Sequence, residues 1–435
     1  MAALAWDGSS FMVVILQGGA PFMPAHRWFH WVLEEPVLWM RGIVNDPSGL
    51  SVVHGLTCAL PPLLALACCM AMLRGEFTRL RIWTVAGILL VPLPGQFFLI
   101  TEVTPAVQLS WILFAFTWIG CPLRWSPAVA LAAGAMATLH PAAAPLFLFA
   151  AAGAAALGIA GNSANRGRML AWAAVFGVAT VVKLLETMSH ATPYEHESMS
   201  PAVWLSEAAT GLRYSPFPAL IPVFIDLALH GWNVLFPRSN ARGPWLSRFL
   251  WSASFILGIY YAVDTGGWTS SINYRKFVLL FTVPFVLMAG LDAWRLKQGS
   301  ARPGGMGIPL LYPALLFATI LCLMSLSWRS LCRTFMAQLA SHPGRVMTHD
   351  DLPKPESDSA LNHWSTTSLS LVLQGWSPRK IFIHDPSLQL SPDGFHICPG
   401  DGFIPADGAF KLAWMRGISS TELRPVSSPS AVSKQ

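Results

Sequence analysis

Apolar residues fall in blocks of roughly twenty along the first three quarters of the chain, with short polar connections between them. Coiled as an α-helix rising about 1.5 Å per residue, such a block crosses a hydrocarbon layer about 30 Å thick. The pattern predicts about ten transmembrane helices, over 51–73, 82–101, 105–121, 126–140, 142–160, 168–188, 216–236, 246–264, 277–295 and 307–327. Two flanking regions read differently. Before residue 51, the apolar run Phe11–Leu16 is short and is broken by Gly18-Gly19 and Pro21. The next stretch, His26 to Met40, mixes Trp28, Phe29, Trp31 and Trp39 with Arg27, Glu34 and Glu35. Tryptophan beside charge is interfacial chemistry, so 8–45 is expected to lie as membrane-parallel helices. After residue 327, proline, serine, aspartate and histidine become abundant. That tail has a strand-like run at Lys380–His384 and turn sequences at Pro392-Asp393-Gly394 and Ala406-Asp407-Gly408. The expected architecture is an all-α polytopic membrane protein in four parts. These are a first loop over 1–50, a helical bundle over 51–327, a small α+β domain over 328–420 and a disordered end over 421–435.

Composition agrees with a membrane bundle. Hydrophobic residues make up 54% of the 435 and charged residues 11%, where a soluble domain carries about 25% charged residues. Mean hydropathy is +0.50.

Charge then orients the bundle. Five connections are basic: Arg74, Arg79 and Arg81; Arg124; Arg166 and Arg168; Arg238, Arg242 and Arg248; Arg295, Lys297 and Arg302. They alternate with connections that hold the carboxylates and histidines, so the positive-inside rule places the basic set in the cytoplasm. Both termini, Glu102, the His140-Pro141 turn, the loop 189–215 and the loop 265–276 then lie outside. This accounts for the net charge of +6 without nucleic acid, and no basic run interleaved with aromatics appears in any long loop. An outer N-terminus with no secretory signal pattern implies one of two things. Either a further span precedes Met1, or a short, weakly charged segment is translocated after insertion. Cys332 and Cys398 both follow the last expected span, where an oxidising compartment would allow a disulfide between them.

The ionisable groups of the outer face are the candidates for chemistry, because charge at membrane depth is costly. Asp7, in Trp6-Asp7-Gly8, could act as a base or could cap a helix. Glu102 ends the second span, and His140 marks an outer turn. Lys183 and Glu186 stand three residues apart on one helix face, either as a functional pair or as an ion pair reaching for the surface. His190, Glu195, His196 and Glu197 could hold a divalent cation, although their spacing matches no closed site. Arg275 and Lys276 are cations at an outer membrane edge, suited to a lipid phosphate or simply to headgroups. Asp226 and His230 are four apart inside a span, where they could bond each other or relay a proton. No GxxxxGK[ST] phosphate loop and no GxSxG or CxxC site is present.

Several of these features together resemble one class. An early outer acid, membrane-parallel helices in the first loop, many spans and a small outer C-terminal domain resemble the GT-C glycosyltransferases. The run Trp6-Asp7-Gly8, Gln17-Gly18-Gly19, Arg27 and Pro36-Val37-Leu38 is similar to uncharacterised bacterial members. The resemblance covers about the first 200 residues by pattern and the rest by layout. It implies a protein of the bacterial inner membrane that transfers a sugar from a polyprenyl-phosphate donor to a lipid-linked, glycan or protein acceptor outside. Asp7 matches the acid that takes the acceptor proton. Arg275 and Lys276, with Lys183, would steady the departing lipid phosphate, and Glu102 and His140 would orient the sugar. Glu186 belongs with Lys183 among the substrate-binding candidates. The chain departs from the class in lacking a span before that acid and in having a lone Asp7 where many members pair two acids. This leaves any metal requirement open. The competing readings are a flippase or carrier, with Lys183, Glu186 and Asp226 along its path, and a surface-polysaccharide polymerase or ligase.

Overall fold

The apolar blocks fold as helices, and their lengths follow the spacing of proline, glycine and charge between them. The computed structural model describes residues 12, 15, 29–41, 43–44, 47–74, 78–92, 103–160, 165–190, 217–236, 244–263, 271–297, 310–344, 346–348, 351–352, 366–374, 380–383, 390–391 and 394–395. The helices are α1 (Phe29–Met40), α2 (Pro47–Cys58), α3 (Leu60–Met72), α4 (Thr78–Leu89), α5 (Val103–Trp118) and α6 (Ser126–Ala137). They continue as α7 (Ala143–Ala160), α8 (Arg166–His190), α9 (Ile221–Leu235), α10 (Pro244–Val263), α11 (Ser271–Lys297) and α12 (Tyr312–Ser341). Six stretches are long and apolar enough to cross a bilayer: Ser48–Met72, Ala143–Ala160, Arg166–His190, Trp245–Val263, Val278–Leu296 and Tyr312–Ser341. The chain is a multi-pass membrane protein. The other expected spans correspond to shorter helices, α4, α5, α6 and α9, among the described residues.

The centre of the bundle is α5. Its sequence is apolar all round, and a helix of that kind must be covered on every face. All sixteen of its residues are buried, with α3, α4, α6, α7 and α11 packed about it. The closest approach is to α4, where Gly87 lies against the Trp111 indole; a Cβ at Gly87 would meet Trp111 Cζ2 at 1.9 Å. At the periphery, alanine and glycine in α7 let α8 come close, and a Cβ on Gly158 would lie 3.2 Å from the Cβ of Met169. The far side of α8 exposes Val178, Val182, Leu185 and Met188, an apolar surface that suits lipid.

The first loop is helical over Phe29–Met40 and again from Pro47. Trp31 and Trp39 of α1 are exposed while Glu34 is buried, and Trp39 Nε1 donates to Glu35 Oε1 at 2.9 Å. The Thr57 hydroxyl ties α1 to α2 by donating to the Leu33 carbonyl at 2.7 Å.

The last helix runs further than the apolar block suggested. α12 continues past residue 327 to Ser341, because nothing in the sequence stops it before His342-Pro343-Gly344. Its 30 residues span about 45 Å, well beyond a hydrocarbon core. Cys332 sits inside this helix as a buried free thiol rather than in an outer loop. Cys398, its expected partner, lies outside the described residues.

Beyond α12, strand β1 (Val346–Thr348) pairs in parallel with β2 (Ile381–Ile383), in register Val346 to Ile381. Helix α13 (Thr366–Leu373) lies between them in sequence and packs on β2 and on α2. The Lys380 ammonium donates to the carbonyls of Ala340 at 2.6 Å and of His342, which satisfies the open end of α12. A second pair, β3 (Leu390–Ser391) and β4 (Gly394–Phe395), runs antiparallel across Pro392-Asp393.

Asp351 clasps this corner. Its Oδ2 accepts from the Thr348 backbone N–H at 2.7 Å and from the Thr348 hydroxyl at 2.8 Å. The backbone bond is the main reason its carboxyl is held below the ordinary carboxylate range. A depressed folded value makes the clasp fully effective above about pH 4 and weakens it as pH falls through that lower value. The protection factor of the Thr348 amide, its intrinsic exchange rate at each pH divided by the observed rate, should therefore fall on acidification in the wild type. In Asp351→Asn it should be low throughout.

Candidate functional site

The helix contacts sort the bundle into two ends, and each end carries a polar cluster. Near the arginine-rich connections Trp83 meets Asp292 and Trp118 lies against Gly290, while at the opposite end Lys183 meets the end of α6.

At the end away from the arginines, α6 turns before Pro141 into α7. His140 closes this turn, its Nδ1 accepting from the Ala142 N–H at 3.1 Å. With Nδ1 accepting, a neutral ring carries its hydrogen on Nε2. The turn leaves the last carbonyls of α6 pointing outward, and Lys183 of α8 comes to meet them. Its ammonium donates to Ala137 O at 2.8 Å, to Leu139 O at 3.1 Å and to Glu186 Oε2 at 2.6 Å. All three hydrogens are used. The lysine is 4% exposed, so it does not reach for the surface; the negative end of the α6 dipole draws it inward. Glu186 keeps 36% of its side chain exposed. The helix end beyond it is polar as well, with Ser189 Oγ 2.8 Å from His190 Nδ1.

Three of the seven expected site residues, His140, Lys183 and Glu186, therefore converge. Arg275 and Lys276 fall in the first turns of α11, and their side chains lie outside the described residues. Asp7, Glu102, Glu195, His196 and Glu197 also lie outside them. Among the described residues, no group of three or more histidine, cysteine, aspartate or glutamate side chains could hold a metal ion.

The second cluster sits at the arginine-rich end and is deeply buried. Asp226 of α9 accepts from the Ser247 hydroxyl at 2.8 Å and from Trp251 Nε1 at 3.1 Å, both on α10. One turn on, His230 Nε2 lies 3.1 Å from Asp292 Oδ1 and 3.0 Å from Oδ2, on α11. Trp83 Nε1 of α4 donates to Asp292 Oδ2 at 3.2 Å, and its ring centroid is 5.5 Å from that of His230. Spacing placed Asp226 and His230 on one face, and the structure gives each a partner on another helix. Sequence reasoning missed Asp292 and Trp83. A lone carboxylate inside the apolar block 277–295 was the available sign.

No protein-family model, curated protein or solved structure matches this chain.

Proposed function

We propose that the chain is a GT-C-type glycosyltransferase that works at the membrane face opposite the arginine-rich connections. On this reading its ten apolar blocks all span the membrane, and the segment after α12 forms a small α+β cap outside. The sugar comes from a polyprenyl phosphate, and the acceptor is a lipid-linked, glycan or protein hydroxyl. The observation that carries the reading is the Lys183–Glu186 pair beside the His140 turn. A buried ammonium fixes a carboxylate at 2.6 Å and leaves it partly open at the membrane edge, as a sugar-orienting group must be. Asp7 takes the acceptor proton as that oxygen attacks the anomeric carbon, and the lipid phosphate leaves with the bonding electrons. On this reading Arg275 and Lys276 supply the positive charge that stabilises the departing phosphate. Attack in one step inverts the anomeric centre.

The test is turnover of a panel of radiolabelled polyprenyl-phosphate sugars in nanodiscs. The sample is the full chain together with any span encoded upstream. Polyprenyl phosphate is expected to be released by the wild type and, for Asp7→Asn, to fall by about 100-fold or more. Glu186→Gln is expected to raise KM more than it lowers kcat. A folded wild type that binds a donor but never releases polyprenyl phosphate would turn the assignment toward a flippase. One that binds no donor would end it.

A further inference from the structure

Two arginines, Arg329 and Arg333, stand in the half of α12 that lies away from the arginine-rich connections. The rule that orients the bundle gives no reason for cations there. Tyr312 begins the helix at its other end, so Arg329 lies about 26 Å along the axis and Arg333 about 6 Å beyond it. A hydrocarbon core about 30 Å thick therefore ends near the first, and the second reaches the headgroups. Both side chains are exposed, and among the described residues neither has a hydrogen-bond or ion-pair partner. No aspartate or glutamate occurs in α12 to neutralise them.

Their direction on the helix is a second, independent observation. Each residue turns a helix by about 100°, so Leu315, Ala318, Cys322 and Leu326 share one arc of about 80° with Arg329 and Arg333. All six are exposed, Leu315 at 60% and Leu326 at 58%. The buried edge of α12, which packs on α10 and α4, lies on the opposite side. The exposed ridge thus offers about 16 Å of apolar surface, the depth of one leaflet, and ends in two guanidiniums. Ser330 and Thr334, each next in sequence to an arginine, are exposed beside them and add two hydroxyl donors.

We propose that Arg329 and Arg333, with Ser330 and Thr334, hold the phosphate of an anionic phospholipid whose acyl chain follows the ridge past Leu326, Cys322 and Ala318. The apolar ridge alone would accept any chain. Paired guanidiniums select a phosphate, because each can engage it through two parallel N–H bonds. A lipid with net negative charge also supplies the counter-charge that α12 lacks. The same helix carries the strands beyond it, since Lys380 is fastened to its last carbonyls and Phe335 meets Phe382 of β2. A headgroup held at Arg329 and Arg333 therefore fixes the depth at which α12 leaves the membrane, and with it the height of β2. The site does not rest on the sugar-transfer reading.

The test is native mass spectrometry of the full chain in detergent, titrated with phosphatidylglycerol and, separately, with zwitterionic phosphatidylcholine. Basic residues elsewhere also attract anionic lipid, so the site is read as the difference between the wild type and Arg329→Gln/Arg333→Gln. The double variant should bind one phosphatidylglycerol fewer at the concentration that fills the site in the wild type. Its affinity there should fall about 30-fold, since each arginine beside an anionic headgroup contributes about fivefold. Phosphatidylcholine binding should be the same for both proteins. Equal loads of phosphatidylglycerol on the two would overturn the proposal. So would tighter binding of a polyprenyl phosphate at the same two arginines, which would give the ridge to a single-chain substrate instead. Should the double variant fail to fold, Arg333→Gln alone decides: a loss of about fivefold is expected, and an unchanged affinity refutes the site.

Discussion

Replacing Lys183 with methionine should destabilise the folded chain by about 3 kcal/mol, close to the low end for breaking a buried ion pair. Methionine fills most of the volume, so the loss isolates the charge and its three donors. The carbonyls of Ala137 and Leu139 lose an ammonium that is 4% exposed, and hydrogen bonds to charged groups are worth about 1.5–3 kcal/mol each. Glu186 offsets part of this, because its 36% exposure lets water replace the lost cation. Glu186→Gln keeps an oxygen for the ammonium but leaves that buried cation without its counter-charge, so it should cost about 1–3 kcal/mol. Thermal unfolding in nanodiscs would check both values. A Lys183→Met variant within about 0.5 kcal/mol of wild type would mean the ammonium is solvated rather than capping α6.

Gly87→Ala should cost about 3 kcal/mol, the upper end for overpacking, from the addition of one methyl group. The new Cβ would arrive 1.9 Å from Trp111 Cζ2 and 2.5 Å from Cη2. The indole has nowhere to go. It meets Phe114 edge-on at 5.8 Å and Trp118 at 5.9 Å, and it is 0% exposed within a helix buried on every face. Shrinking the ring should relieve the clash, so Gly87→Ala/Trp111→Phe should lose less than the sum of the two single variants. A coupling of about 1–2 kcal/mol is expected from residues in direct contact. Strict additivity would show that α4 and α5 separate freely and that the glycine is incidental.

How far the sequence foretold this molecule depended on the distance over which each feature acts. Each of the ten apolar blocks contains a helix among the described residues, because twenty apolar residues in a row are a local property. Lys183 and Glu186 were readable for the same reason, since helical geometry alone brings residues three apart together. The direction of the lysine was not readable, because it follows from a turn 44 residues earlier. Trp83 and Asp292 are 209 residues apart, and nothing near either one names the other. The length of α12 was misjudged in a different way. Apolar content ends where the helix leaves the hydrocarbon, but helix propensity does not, and Trp328 through Leu339 keep an apolar edge for another surface.

That edge makes α12 a torsion rod. Its buried residues, Leu316, Ile320, Met324, Trp328, Cys332, Phe335 and Leu339, recur mostly every fourth position. Four residues turn a helix about 40° past a full revolution, so the buried edge winds roughly 140° around the axis between Leu316 and Leu339. Near its start it faces α10, where Ile320 closes over Gly258. Near its finish Phe335 meets Phe382 of β2 at 5.4 Å, and Lys380 is fastened to the last carbonyls. Neither end can rotate about the axis without unseating its own neighbours. A twist applied to the strands beyond the helix is thus delivered to α10 some 35 Å away, with no flexible joint on the way to absorb it.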